Sequence, residues 1–209
     1  MYMNYVMGGD IIDTNADGDH VVVVGGGVIG LCVAYYALQS GKQVTVLERE
    51  PKAGNNCSAE NAGMVVPSHF VPLAAPGMVA LGLRWMLNPE SPFSFSIRPA
   101  LLRWAYLFWR HANRSHVDAC RSLLCELNLR SRELFVKLST EFDYGLVKRG
   151  LLMLCEKTQT LESEAALAAK AKELGMEVEV CSARRLKEID PDIDMEVAGG
   201  VWFKEDCHL

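Results

Sequence analysis

The chain has 209 residues, of which 50% are hydrophobic and 22% charged, and its formal net charge is −5. This balance is typical of a folded globular protein and excludes a disordered or fibrous one, while the acidic excess argues against nucleic acid as a partner. Seven scattered cysteines without C-x-x-C spacing predict neither a disulfide framework nor a zinc site, and reduced thiols indicate the cytoplasm.

Residues 1–19 are predicted to be a flexible extension. They carry acidic groups where a secretory signal needs positive charge. Asp13 to Gly18 match the opening of a calcium-binding loop, but Val24 stands where the closing carboxylate is needed. We therefore expect a solvated turn and no metal site.

A βαβ unit is predicted to follow. Residues 21–24 are four consecutive valines, typical of a buried parallel strand. Residues 28–40 are mostly apolar and predict a helix that ends at Gly41. Residues 43–47 predict a second strand, and the crossover between the two strands is expected to be right-handed.

The glycine motif Gly25-x-Gly27-x-x-Gly30 lies between the first strand and the helix. In a dinucleotide site, these glycines allow a tight turn, backbone approach to a pyrophosphate, and close packing of helix on sheet. Glu48 follows the second strand, where its carboxylate can accept hydrogen bonds from ribose hydroxyls. This order favours dinucleotide binding over a glycine-rich turn of purely structural use.

The rest of the chain predicts a long loop, then helices, then a second αβ layer. The loop spans residues 51–76, a length that compact domains tolerate mainly where it is functional. Helices are predicted at 78–87, 99–111 and 117–142. The αβ layer has predicted strands at 151–154, 178–181 and 199–203 and helices at 161–174 and 182–188.

The second predicted helix of this stretch carries an aromatic stripe, Trp104, Phe108 and Trp109. Its helical spacing fits core packing. Arg103 and Arg110 add a basic edge, so peripheral membrane contact stays open as an alternative. No apolar run reaches the roughly 18 residues of a membrane span.

One segment of the long loop resembles a known family. It is Cys57-Ser58-Ala59-Glu60-Asn61-Ala62-Gly63-Met64-Val65. It resembles the FAD-dependent D-amino-acid dehydrogenase and glycine/sarcosine oxidase (DAO) family, whose Thr/Ser-Ser-x-x-Asn-Ala-Gly pattern runs from the FAD phosphates toward the flavin ring. Cys57 stands where the family has a first hydroxyl residue. Pro67 and residues 74–77 resemble the D-amino-acid dehydrogenase branch in particular.

The resemblance covers residues 20–209 and implies an α/β fold: a Rossmann-like FAD-binding βαβ domain with a helical insertion and part of an α+β substrate domain. It implies the N-terminal portion of a longer enzyme, rather than a chain that works as it stands. Five segments are expected. Residues 1–19 form a flexible extension, residues 20–77 a βαβ unit with its flavin loop, and residues 78–149 a helical region. Residues 150–198 form a partial substrate domain, and residues 199–209 a strand returning toward the FAD domain.

The cofactor implied is FAD, and no catalytic residue is named because the family places substrate-binding groups in the later half of its chains. The glycine motif, the ribose-binding acid and the loop supply the expected FAD contacts. They are Gly25, Gly27, Val28, Ile29, Gly30, Glu48, Arg49, Ser58, Asn61, Ala62, Gly63 and Met64.

The resemblance implies oxidation of the Cα–N bond of a (D-)amino acid to an imino acid, which hydrolyses to a keto acid and ammonium, in amino-acid catabolism. The alternatives are a glycine/sarcosine oxidase-type enzyme and an FAD-binding or interaction module without activity of its own. The expected location is the cytoplasm, with peripheral contact at the inner face of the membrane as the variant. The oligomeric state is not predicted.

Overall fold

The computed structural model describes residues 3–7, 19–50, 57–86, 88, 91 and 98–209. It divides into two compact units, Met1–Ala62 and Gly63–Leu209. Each unit has its own sheet and its own core.

The first unit is a parallel sheet with one helix. Strands β1 (Met3–Met7), β2 (His20–Val24) and β3 (Gln43–Glu48) lie in the order β1-β3-β2, and helix α1 (Val28–Gln39) connects β2 to β3. This confirms the predicted βαβ unit. Gly41, at φ 83°, ends the helix in the left-handed region that glycine adopts without steric penalty.

The core of the first unit lies between the sheet and α1. Alternate strand residues point to opposite faces, and Val23, Val44 and Val46 pack with Ala34 of the helix. Val22 and Val24 lie on the opposite face and are 48% and 82% exposed. Within the described residues, α1 therefore covers only one face of the sheet.

Strand β1 differs from the predicted flexible extension. Met3–Met7 pair with β3 in parallel over five residues, from Met3 opposite Val44 to Met7 opposite Glu48. The pairing uses backbone groups at an open edge of β3, so no β-type side-chain pattern is needed to form it. The calcium-loop-like residues from Asp13 to Gly18 lie outside the described residues.

Three consecutive helices belong to the second unit: α2 (Met78–Met86), α3 (Pro99–His111) and α4 (Arg114–Leu138). Pro99 stands in the first turn of α3, where its missing N–H costs nothing. Asn113 caps α4, its side-chain oxygen accepting a hydrogen bond from the backbone N–H of His116 at 3.0 Å. These caps explain why the helices begin close to the predicted positions.

An antiparallel sheet follows, with β7 in its centre. Its strands are β5 (Leu151–Cys155), β6 (Val178–Ser182) and β7 (Gly199–Phe203) in the order β5-β7-β6, with helices α5 (Thr158–Glu173) and α6 (Ala183–Ile189). Ser182 caps α6, its hydroxyl oxygen accepting from the N–H of Arg185. The buried cluster of this unit is Phe70, Cys125, Ala168, Ala171, Met176, Val178, Val201 and Phe203.

The last strand brings the end of the chain back to the start of the second unit. β4 (Met64–Val65) pairs antiparallel with β8 (Cys207–His208), and the N–H of Leu209 donates to the carbonyl of Gly63 at 2.8 Å. Within the described ranges, no helix is both long and apolar enough to cross a bilayer.

The two compact units divide the chain at a different position from the expected segments, which stay predictions. The expected segment 20–77 is divided after Ala62, so the predicted flavin loop contributes to both units. Residues 199–203, expected to return toward the FAD domain, form β7 between β5 and β6. The backbone of β7 pairs antiparallel with both strands. The segment 199–209 thus completes the second unit.

Candidate functional site

The glycine turn between β2 and α1 requires glycine for two separate reasons. Gly25 has φ 105°, a conformation that side chains oppose, and its N–H donates to the carbonyl of Leu47 at 2.8 Å. A Cβ on Gly30 would lie 1.9 Å from the Gly25 carbonyl oxygen. The absent side chain at Gly30 therefore lets α1 begin directly against the turn.

The N-terminus of α1 is the electropositive end of the helix. Gly27 is the N-cap residue, and the first turn contains no acidic residue. The Ser58 hydroxyl oxygen accepts a hydrogen bond from the Val28 N–H at 3.0 Å. A Cβ on Gly27 would lie 3.2 Å from the same hydroxyl oxygen. The loop after residue 56 thus places an oxygen acceptor where helix N–H groups and the macrodipole favour an anion.

The Glu48 carboxylate closes the other side of this turn. One oxygen accepts a hydrogen bond from the Gly26 N–H, and the other accepts from the N–H groups of Arg49 and Glu50 at 2.7 and 3.0 Å. The hydrogen bonds from Glu50 and Gly26 lower the pKa of the Glu48 carboxyl from its ordinary value. A carboxylate offers about four acceptor positions, so these three donors leave capacity for a sugar hydroxyl.

The Asn61 side chain holds the loop that carries Ser58. Its amide nitrogen donates to the backbone carbonyls of Cys57 and Ser58, at 3.1 and 2.9 Å. This is ordinary turn chemistry for asparagine, and it fixes the backbone of Ser58 beside the helix N-terminus. The side chain predicted to touch the cofactor therefore also has a structural role.

The other predicted contacts are distributed over both units. Ile29 is 79% exposed in the first turn of α1, and Arg49 is exposed with its guanidinium 3.2 Å from the Glu50 carboxylate. Ala62 ends the first unit. Gly63 and Met64 belong to the second unit, where Gly63 lies against Leu209. Contacts at the glycine turn link six of the predicted residues: Gly25, Gly27, Val28, Gly30, Glu48 and Ser58.

A buried polar cluster in the second unit was missed by sequence reasoning. The Ser68 hydroxyl donates to the Asp206 carboxylate at 2.6 Å, and the Ser68 N–H donates to its second oxygen at 3.2 Å. The His69 ring nitrogen lies 3.1 Å from the Ser68 hydroxyl. Burial raises the pKa of the Asp206 carboxyl. Local sequence carries no signal for this cluster, because 138 positions separate Ser68 from Asp206.

The donor set of the first unit fits a dinucleotide. A pyrophosphate can lie against the glycine turn, which a side chain would obstruct, and accept hydrogen bonds from the helix N–H groups and the Ser58 hydroxyl. The Glu48 carboxylate can accept hydrogen bonds from ribose hydroxyls. Among the residues that the structure describes, no group of three or more His, Cys, Asp or Glu side chains could hold a metal ion.

The fold and this turn define the chain as a dinucleotide-binding α/β protein. Residues 20–209 match the family described as DAO, FAD dependent oxidoreductase. The chain belongs to this family, and FAD is its cofactor.

Solved structures share the fold at low sequence identity. Glycine oxidase from Geobacillus kaustophilus has a TM-score of 0.60 and 19% identity, over 91% of this chain and 40% of that one. L-α-glycerophosphate oxidase from Mycoplasma pneumoniae, solved with FAD bound, has a TM-score of 0.57 and 15% identity, over 92% and 38%. L-proline dehydrogenase from P. horikoshii has a TM-score of 0.52 and 19% identity, over 91% and 37%. The chain thus spans about two fifths of the length of these structures.

Proposed function

We propose that this protein serves the FAD-dependent oxidation of the Cα–N bond of an amino acid, and that it belongs to the D-amino-acid dehydrogenase branch of its family. The observation that carries the proposal is the match of residues 20–209 to FAD-dependent oxidoreductases. Pro67 and residues 74–77 support the branch. The proposed location is the cytoplasm.

The FAD contacts in this proposal come mainly from the first unit. The N-terminus of α1 and the Ser58 hydroxyl hold the pyrophosphate, since they supply N–H groups and a hydroxyl at one point. Glu48 accepts hydrogen bonds from ribose. The predicted contacts flanking these groups or lying further along the loop are Ile29, Arg49, Asn61, Ala62, Gly63 and Met64.

Bound FAD supplies the redox chemistry by accepting the hydride that leaves Cα. The substrate amine loses a proton, a C=N bond forms, and water then releases a keto acid and ammonium. The chain contributes the glycine turn, the helix N-terminus and the ribose-binding carboxylate, which hold the cofactor in place. No residue of this chain is assigned a catalytic role.

The names of the structural neighbours support amino acids as the substrate class. Glycine oxidase, L-proline dehydrogenase and an L-amino acid deaminase from Proteus vulgaris are among them. Glycerophosphate oxidase shares the fold as well. The fold is therefore compatible with several substrates, and the D configuration rests on the loop residues alone.

A second candidate function is an FAD-binding module that does not turn over substrate alone. Its support is that the glycine turn, Ser58 and Glu48 fit a dinucleotide, whereas no residue of the chain is assigned to substrate. Such a module binds FAD through the same turn.

Spectroscopy of the purified chain distinguishes these candidates. We expect flavin absorbance bands, and bleaching of these bands under anaerobic conditions when D-alanine or D-proline is added, with the keto acid or cyclic imine as product. L-proline, glycine and sarcosine are the comparison substrates, and bleaching by these alone contradicts the branch assignment. Bound FAD that no amino acid reduces supports the module, and a colourless protein that does not take up FAD contradicts both.

A further inference from the structure

The first turns of α4 bring a thiol against an imidazole ring. Cys120 follows His116 by four positions in the helix, so the two side chains lie on one face of it. The two ring nitrogens of His116 lie 3.6 and 3.9 Å from the Cys120 sulfur. A neutral imidazole has one basic nitrogen, at a position that depends on the tautomer. Either tautomer of His116 therefore places a proton acceptor within 4 Å of the thiol.

The end of α3 and the cap of α4 hold His116 in this position. His111 is the last residue of α3, and its ring packs against that of His116 with centroids 5.1 Å apart. The Asn113 side chain accepts a hydrogen bond from the His116 backbone N–H at 3.0 Å. No three His, Cys, Asp or Glu side chains in the described part of the chain could hold a metal ion. The chemistry that this cluster offers is therefore that of the thiol itself.

The other six cysteines lie in different surroundings. Four of them are buried: Cys125, Cys155, Cys181 and Cys207. Burial raises the pKa of the first three thiols and of the Cys32 thiol, which disfavours the reactive thiolate. Cys57 is exposed. Among the hydrogen bonds of the described residues, only those of Cys120 join a cysteine sulfur to an imidazole.

The stretch around Cys120 is positively charged. From Arg110 to Arg121 the sequence has three arginines and one acid, a balance of +2 within a chain of −5. The acid, Asp118, is paired with the Arg121 guanidinium at 2.7 Å. Cys120 itself is half-buried, so small reagents can reach its sulfur. Reactive cysteines occur in electropositive, partly exposed surroundings, because positive charge stabilises the thiolate.

We propose that Cys120 is a redox modification site, at which His116 assists oxidation of the thiol by hydrogen peroxide. The imidazole takes the thiol proton, and the sulfur attacks one oxygen of the peroxide. An S–O bond forms as the O–O bond breaks, and the departing hydroxide takes the proton from His116 to leave as water. The sulfur loses two electrons and the peroxide gains them. The product is a sulfenic acid, an oxidation state that is reversible.

The proposal is independent of the amino-acid substrate and of the flavin reaction. It requires only peroxide and the side chains at the start of α4. Loss of amino-acid oxidation in a variant would therefore leave the prediction for Cys120 unchanged, and the two proposals can fail separately.

Peroxide treatment of the full FAD-loaded chain tests the proposal. Dimedone traps the sulfenic acid, and mass spectrometry after trypsin locates it. Trypsin releases Cys120 in peptide 115–121 and Cys57 in peptide 53–84, each as the only cysteine. We expect Cys120 to be labelled about tenfold faster than Cys57, since an ordinary thiol is only a few per cent ionised at pH 7. Equal rates, or faster labelling of any other cysteine, overturn the proposal.

Two histidine variants separate the role of His116 from a general effect. His116→Gln removes the proton acceptor but keeps a polar side chain, and it should slow the labelling of Cys120 about tenfold, toward the rate of Cys57. His208→Gln is the matched control, because it removes an exposed imidazole from β8. It should label like the wild type.

FAD content and far-UV circular dichroism confirm that each variant is folded. A wild-type rate of Cys120 labelling in His116→Gln would show that the imidazole does not assist, and the proposal is then wrong. The same conclusion follows if His208→Gln slows the labelling as much as His116→Gln does.

Discussion

Gly30 shows how a missing side chain determines the geometry of the cofactor turn. Since its Cβ would lie 1.9 Å from the Gly25 carbonyl oxygen, Gly30→Ala must displace the backbone of the turn. Overpacking of this kind costs about 1–3 kcal/mol, which corresponds to a loss of affinity of about 5-fold to 150-fold where the turn holds FAD. Titration of the apoprotein with FAD, followed by flavin fluorescence, measures this loss.

Gly175→Ala is the matched control for Gly30→Ala. Gly175 has φ 89°, but its Cβ would meet no atom within 4 Å, and it lies in the second unit. The substitution costs about 1–2 kcal/mol of backbone strain and should leave FAD affinity unchanged. Equal affinities for the Gly30→Ala variant and the wild type would show that the turn does not touch FAD.

Asp206 gives the second unit a pH-dependent stability of defined sign. Burial raises the pKa of its carboxyl above the ordinary value of 3.8, so the folded state keeps the proton to higher pH than the unfolded chain. The contribution of Asp206 to the free energy of unfolding is therefore largest below pH 3.8 and falls as the pH rises through the raised folded pKa, by at most about 1.4 kcal/mol per pH unit.

Denaturant unfolding of the wild type and Asp206→Asn between pH 3.5 and 7 checks this sign. The wild type should lose stability relative to the variant as the pH rises. Ser68→Ala should enlarge the loss, because it removes the hydroxyl hydrogen bond that lowers the pKa of Asp206. A stability difference that grows in favour of the wild type with rising pH would contradict the assigned direction.

Local sequence was sufficient for most helices and strands, and insufficient for the long-range pairings. Helix α3 begins and ends at its predicted residues, since Pro99 favours a start there. Strand β1 was not predicted, because its pairing with β3 depends on an open edge rather than on local composition. The resemblance gave Ser58 and Val28 only as separate FAD contacts. The hydrogen bonds that join Ser58 to Val28 and Ser68 to Asp206 were not predicted, because their partners are distant in the sequence.

Strand β2 has an uncovered face and an edge without a partner strand among the described residues. Parallel sheets are usually covered on both faces, and exposed apolar edge strands promote association. We therefore expect Val22→Thr to reduce concentration-dependent association of the isolated chain, measured by light scattering. Its stability should change by no more than about 0.5 kcal/mol, as is usual for an exposed site.

Val23→Thr is the counterpart on the covered face. Val23 is 8% exposed and packs against α1. A hydroxyl buried there without a partner costs about 1–3 kcal/mol, and it should not reduce association. Similar effects of the two substitutions on stability would show that both faces of β2 are equally covered.

The division after Ala62 separates two kinds of property. The first unit holds the glycine turn, Ser58 and Glu48, whereas the second holds the Asp206 cluster. The predicted flavin loop continues from one unit into the other at Gly63. Cofactor affinity and the pH dependence of stability are therefore expected to respond to different sets of substitutions.

The four tryptophans of the chain, Trp85, Trp104, Trp109 and Trp202, all lie after Gly63. Trp202 is tied to the backbone carbonyl of Arg149 by a hydrogen bond of 3.2 Å. Indole emission consequently reports the second unit alone, while the visible colour of bound flavin reports the glycine turn of the first. A single urea titration, followed by tryptophan emission and by flavin absorbance, therefore yields a separate unfolding curve for each unit without a label.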